Sequence, residues 1–181
     1  MRSFLIFIAV VLIAAPVGDS LAAESRSAKA KMTNGNRQEV GEATLSETPN
    51  GVLIRLSLRQ KPEGISPGTH AIHIHNVGKC EPPFKSAGDH FNPMNKKHGF
   101  FGKDGKHIGD LPNIHVPDNA PLTVEFLVPQ SSLGGGKTSL FDSDGSALVI
   151  HQGADDYTTD PAGNSGDRIA CGVIEHSGHG K

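Results

Sequence analysis

The chain has 181 residues, the size of a single domain, and a formal net charge of −2 with Lys and Arg interspersed among Asp and Glu. That balance excludes the basic stripe of a nucleic-acid binder, and a single Tyr with no Trp leaves no aromatic platform for stacking bases. Gly (22) and Pro (12) interrupt the chain at short intervals and no stretch shows helical periodicity, so short strands joined by turns are predicted throughout.

Arg2, the apolar run from Phe4 to Ala15 and Ser20-Leu21-Ala22-Ala23 have the charged, apolar and small-residue pattern of a secretory signal. The expected organisation is therefore a signal peptide over 1–23, cut after Ala22 or Ala23, and one domain over 24–181. Removing Arg2 and Asp19 together leaves the net charge at −2. A membrane anchor is the weaker reading, because the run is shorter than the roughly 20 apolar residues that span a bilayer. No cysteine stands at the cut for a lipid. The expected location is outside the cytoplasm, periplasmic or, alternatively, secreted.

Strands are predicted in order at Ala28–Met32, Val40–Leu45, Val52–Leu58, Thr69–His75, Leu122–Val128, Ala147–His151 and Ile169–Glu175. The third is the clearest: Val52, Ile54, Leu56 and Leu58 share one face, Arg55, Ser57 and Arg59 the other together with Leu53, and Asn50-Gly51 before it is a hairpin signal. Such a series implies an all-β, antiparallel sandwich or barrel. Residues 76–113 and 152–167 break the rhythm. Long loops of this kind in a compact domain are usually functional.

Ten histidines demand a chemical explanation, because neutral imidazole is the commonest metal ligand. His73 and His75 are two apart on a predicted strand and project from one face, where they can clasp one ion. His70, an odd number of residues from both, faces the other way unless the strand is bulged, and is expected to pack or to support a ligand from behind. In the first long loop His90, His98, His107 and Asp110 make three imidazoles and a carboxylate, a closed set suited to zinc. His151, ending a strand, can join His73 and His75 in a nitrogen-only set suited to copper. His115 has no such context, and His176 and His179 lie in a Gly-rich tail expected to be solvated. Cys80 and Cys171, in an exported chain, are expected to form a disulfide. Ligation of zinc by the two is weaker, since neither has a second cysteine nearby.

The blocks Gly68-x-His70-Ala71-x-His73-x-His75, Gly88-Asp89-His90-Phe91-Asn92-Pro93, His107-Ile108-Gly109-Asp110-Leu111 and Gly163-Asn164-Ser165-Gly166-Asp167-Arg168-Ile169-Ala170-Cys171-Gly172-Val173-Ile174 resemble those of the copper/zinc superoxide dismutases, in the same order. The short segment between His151 and Arg168 and the signal sequence are similar to bacterial periplasmic members. The resemblance implies a Greek-key, immunoglobulin-like β-sandwich or barrel of about eight strands with two long functional loops. It implies copper on His73, His75, His90 and His151, and zinc on His90, His98, His107 and Asp110, with His90 shared. Asp155 would link a copper histidine to a zinc histidine, and Arg168 would orient the substrate, the superoxide anion. On reduction of the copper, His90 would release it and take a proton.

One departure concerns steering of the anion. The 152–167 loop holds Asp155, Asp156, Asp160 and Asp167 and no lysine, so Lys79, Lys85, Lys96 and Lys97 of the first loop are the candidate steering charges. Two other readings compete. A non-catalytic copper- and zinc-binding module on the same sandwich would be expected to lack the arginine or a copper histidine, and an adhesion-type sandwich leaves the histidines unexplained. No nucleic acid and no retained membrane anchor are expected. A homodimer is compatible with the sequence, which does not fix the oligomeric state.

Overall fold

In the computed structural model, which describes residues 26–178, apolar alternation decides which face of each strand turns inward. The expected signal peptide, its cut and His179 lie outside the described residues. Strand β3 (Gly51–Leu58) buries Val52, Ile54, Leu56 and Leu58 and leaves Arg55 and Ser57 in solvent. On one side it pairs with β2 (Glu39–Thr48), Leu45 opposite Ile54 and Ala43 opposite Leu56. On the other it pairs with β7 (Leu122–Val128), Phe126 opposite Ile54. Strand β1 (Ser27–Asn34) follows β2, then β9 (Arg168–His176), β8 (Ala147–His151) and β5 (Ile72–His75). All these pairs are antiparallel, in the order β5-β8-β9-β1-β2-β3-β7. Buried side chains of β1, β2, β3, β5, β8 and β9 meet in one core, so the sheet curls around it. Each fully buried Leu or Ile there contributes roughly 1.5–3 kcal/mol of apolar burial. The all-β antiparallel class is as expected.

Two details differ from the expectation. The segment 69–75 is two strands: β4 (Gly68–His70) leaves the main sheet to pair with β6 (Ile114–Val116), which alternation over three residues is too short to reveal. The break falls at Ala71, whose N–H donates to the Gly153 carbonyl and whose carbonyl accepts from the His151 N–H. The N–H thus holds the second long loop while the carbonyl stays on the end of β8, and the described residues have nine strands.

Strand β5 is an edge of the main sheet, and the first long loop covers it. The Ile74 N–H donates to Gly109 O, Phe91 N–H to Ile74 O, and Gly109 N–H to Phe91 O. This strapping brings His90 beside His75 and Asp110 beside His73. A Cβ on Gly109 would lie 2.3 Å from Ile74 O, so only glycine allows the loop so close. The expected disulfide is present: Cys80 and Cys171 bond across 91 residues, tying the same loop to β9. It joins a small core of Phe84, Ala87, Ala147 and Val149.

Candidate metal centre

Four imidazoles meet above β5 and β8. His73, His75, His90 and His151 each turn one nitrogen to a common point, the four atoms lying within 4.8 Å of one another. All four residues are buried, and each ring has its other nitrogen held. His73 Nε2 donates to Asp155 Oδ2 at 2.8 Å, His75 Nδ1 to Gly88 O at 3.0 Å, and His90 Nδ1 faces Asp110 Oδ1 at 2.8 Å. His151 Nδ1 lies 3.1 Å from Ser165 Oγ and 3.3 Å from Gly166 O. The inward atoms fare differently: His73 Nδ1 and His90 Nε2 are buried with no hydrogen-bond partner among the described residues. Orphaned buried polar atoms cost free energy, so a cation accepting both lone pairs fits the pocket.

The second group shares His90. Asp110 Oδ1 lies 2.8 Å from His90 Nδ1, 3.1 Å from His98 Nδ1 and 3.2 Å from His107 Nδ1, while His107 Nδ1 and His90 Nδ1 are 3.4 Å apart. Three imidazole nitrogens and a carboxylate are the donor set that tetrahedral zinc takes. Asp110 Oδ2 accepts from the Gly99 and His107 N–H groups, which fixes the carboxylate plane. Asp155 spans both groups, its Oδ1 receiving His98 Nε2 at 2.9 Å and its Oδ2 receiving His73 Nε2. Holding the far nitrogen of a ligating imidazole fixes its tautomer and angle.

Burial pushes the Asp110 carboxyl up, but hydrogen bonds from His107, His90, His98 and Gly99 outweigh it and hold it well below the carboxylate range. Asp155 is lowered in the same way, against its burial, by His73, His98 and the Tyr157 N–H. Burial lowers His90 to about 4 and His151 to about 3, with neighbouring imidazoles adding to it, so both are neutral and can ligate at pH 7. Burial also pulls on His98, yet hydrogen bonds to Asp110 and Asp155 raise it to about 9. In the metal-free protein His98 thus keeps its proton at pH 7. The stability it contributes is full below its ordinary 6.5 and is lost as pH rises through about 9. A zinc ion taking a lone pair from His98 would have to displace that proton, so zinc uptake there at pH 7 is expected to release about one proton. Calorimetry in buffers of different ionisation enthalpy reads this directly, and no release would mean His98 is already neutral.

Arg168 begins β9 beside His151, half-buried, its guanidinium donating to Phe84 O at 2.8 Å. It lines an open cleft that also contains His90 and His151. Lys96 lines this cleft and Lys85 the adjoining one, whereas Lys79 is paired with Glu81 at 3.1 Å and exposed Lys97 lines neither. His70 turns away from the cluster, with its ring nitrogens 2.9 Å from His151 O and 2.8 Å from Ser66 O. His115 is exposed on β6, and exposed His176 stacks on Phe141 at 3.6 Å.

Three residues that hold the site escaped sequence reasoning. The Asn113 amide clamps Asp155 at both ends, its Nδ2 donating to Asp155 O at 3.0 Å and its Oδ1 accepting from Asp155 N at 2.9 Å. Gly163 lets the loop close on the site, because a Cβ there would lie 1.9 Å from Asp155 Oδ1 and 2.7 Å from His98 Nε2. Phe84 supplies the carbonyl for Arg168 from a left-handed conformation (φ 67°), costly for a residue with a Cβ and held by burying its ring.

A family model described as copper/zinc superoxide dismutase matches residues 39–174. Among curated relatives, superoxide dismutase [Cu-Zn] 1 of Aquifex aeolicus is 48% identical over 84% of this chain and 90% of its own. The [Cu-Zn] enzyme of Caulobacter vibrioides is 42% identical over 82% and 86%. Among solved structures, the chain is similar to a SOD-like protein from Bacillus subtilis, with TM-score 0.74 and 39% identity over 80% of this chain and 96% of that one. It is also similar to the Cu/Zn superoxide dismutase from Brucella abortus, with TM-score 0.65 and 27% identity over 82% and 99%.

Proposed function

This chain belongs to the copper/zinc superoxide dismutase family, and on that premise we propose which of its residues hold each metal and which receive the substrate. In its reaction two superoxide anions and two protons become oxygen and hydrogen peroxide. Copper is assigned to His73, His75, His90 and His151, and zinc to His90, His98, His107 and Asp110. The observation that carries the assignment is the pair of orphaned nitrogens, His73 Nδ1 and His90 Nε2, in a pocket where every other ring nitrogen of the copper group has a neighbour.

Bound copper supplies the one-electron redox chemistry and zinc a fixed positive charge. The rest falls to the chain. Asp155 orients His73 toward the first group and His98 toward the second, so the two sets are built as one unit. His90 serves both groups, and its Nε2 is the atom placed to take up a proton and return it during turnover. Arg168, permanently charged and pinned by Phe84 O, presents a guanidinium that can hydrogen-bond a small anion at the mouth of the cleft. Lys96 lines that cleft and Lys85 the adjoining one, so these two are the proposed steering charges.

The rest of the proposal concerns location and assembly. Residues 1–23 are removed on export, leaving a domain from residue 24 in the periplasm, where the Cys80–Cys171 disulfide persists. A homodimer is the proposed assembly, and Phe100 and Phe101, exposed beside Tyr157, supply apolar surface for it.

Metal analysis of the purified protein with turnover measured before and after copper chelation tests the assignment. Equimolar copper and zinc, with turnover lost on chelation and restored by copper alone, is the expected result. Turnover that survives complete copper removal would overturn it.

A further inference from the structure

The histidine of the copper group that owes least to its own strand is His151. The β8–β9 register shifts between Ile150 and His151, so ladder pairing alone does not set the direction of the ring. The partner that sets it comes from the loop. Ser165 is 2% exposed, its carbonyl accepts from the Gly153 N–H at 2.9 Å, and its hydroxyl stands 2.8 Å from Ala162 O and 3.1 Å from His151 Nδ1.

The hydrogen-bond roles follow from chemistry. The Ala162 carbonyl can only accept, so the hydroxyl gives its single proton there and offers a lone pair to His151. Nδ1 of His151 therefore carries the ring N–H, shared between Ser165 Oγ and the more distant Gly166 O at 3.3 Å. Nε2 is left bare, and Nε2 is the atom that faces His75 Nε2 at 3.4 Å inside the four-histidine group. The equivalent support comes from a carboxylate for His73 and from a backbone carbonyl for His75, while the far nitrogen of His90 belongs to the second group. Only His151 depends on a hydroxyl.

We propose that Ser165 is a positioning residue for the copper centre: its hydroxyl selects the His151 tautomer with Nε2 free, locks the ring angle and raises the basicity of that nitrogen. The inference rests on the assignment of copper to His73, His75, His90 and His151. A donor made more basic favours copper(II), so losing the hydroxyl weakens copper(II) binding and leaves zinc alone.

The test compares the full chain with Ser165→Ala, Ser165→Thr and His151→Ala. Copper(II) and zinc affinities are read by chelator competition, the copper centre by its electron paramagnetic resonance hyperfine splitting, and the metal-free proteins by thermal melting. For Ser165→Ala a copper(II) affinity about ten-fold lower is expected, the mild end for loss of a ligand-orienting partner because Gly166 O remains, with altered hyperfine splitting and zinc affinity within about two-fold. Ser165→Thr, which keeps the hydroxyl, is expected to recover the wild-type splitting. Unchanged copper affinity and splitting in Ser165→Ala would overturn the inference. So would a joint fall of copper affinity, zinc affinity and metal-free melting temperature, which would make the hydroxyl a loop-folding group acting through Ala162. Wild-type copper affinity in His151→Ala would overturn the copper assignment itself and the inference with it.

Discussion

His151→Ala is expected to yield a protein that keeps zinc, loses copper and turns over superoxide at background rate. His151 belongs to the first group only, the zinc group being completed by His90, His98, His107 and Asp110. Its ring is buried at the end of β8, and its Nε2 faces the common point. Disturbing a residue that merely orients a ligand costs about 10- to 100-fold in affinity or activity, so deleting a ligand is expected to cost more than about 100-fold. Arg168→Leu is the informative contrast. It removes the charge at the cleft and its bond to Phe84 O but no candidate ligand, so copper and zinc contents are expected to hold while the second-order rate falls about ten-fold or more and its salt dependence weakens. Metal content and turnover measured on both variants separate the roles. Full activity in both would remove the four-histidine group and the arginine from the reaction.

Residues whose chemistry is local to their own segment were legible. The alternation of β3 and the pair His73 and His75 depend on side-chain period alone, and the expected faces are the observed ones. His70 was read as facing away from that pair, and it does, bonding to the backbone of His151 and Ser66. What failed was local continuity. Nothing in Thr69-His70-Ala71-Ile72 marks a break, because the break falls where Gly153 of the distant second loop takes the Ala71 N–H. The short β6 was hidden for the same reason: three residues form a strand only because β4 is there to pair with them.

Within the site, residue types that could ligate metals announce themselves, and apart from Asp155, which the family resemblance implied, the residues that hold them do not. Asn113 is an ordinary loop asparagine until Asp155, 42 residues away, is brought against it. Ser165 and Gly163 lie in a stretch whose composition reads as turn. Their roles come from distances to His151, Asp155 and His98 that only the folded loop creates. Arg168 was visible as a candidate, but the Phe84 carbonyl that aims it was not, since a backbone oxygen has no sequence signature.

That carbonyl makes the disulfide more than a clamp. Phe84 sits in the small core built on Cys80 and Cys171, so the covalent tie between the loop and β9 also fixes the group that holds Arg168. Replacing the pair as Cys80→Ala and Cys171→Ala is expected to lower the stability of the metal-free protein by about 4 to 5 kcal/mol, the chain-entropy value for a closed loop of this length. Alanine is the right probe because Cys171 is fully buried and a serine hydroxyl there would need a partner. Metal-free protein is the right reference because bound metal adds its own stabilisation and would mask the loss. A second effect separates this tie from generic stabilisation: at temperatures where the variant is folded and metal-loaded, its turnover is expected to fall toward that of Arg168→Leu. Denaturant unfolding and a rate at low ionic strength measure the two effects. A stability change under about 1 kcal/mol would mean that Phe84, Ala87, Ala147 and Val149 hold the loop without the bond, as a small apolar core can.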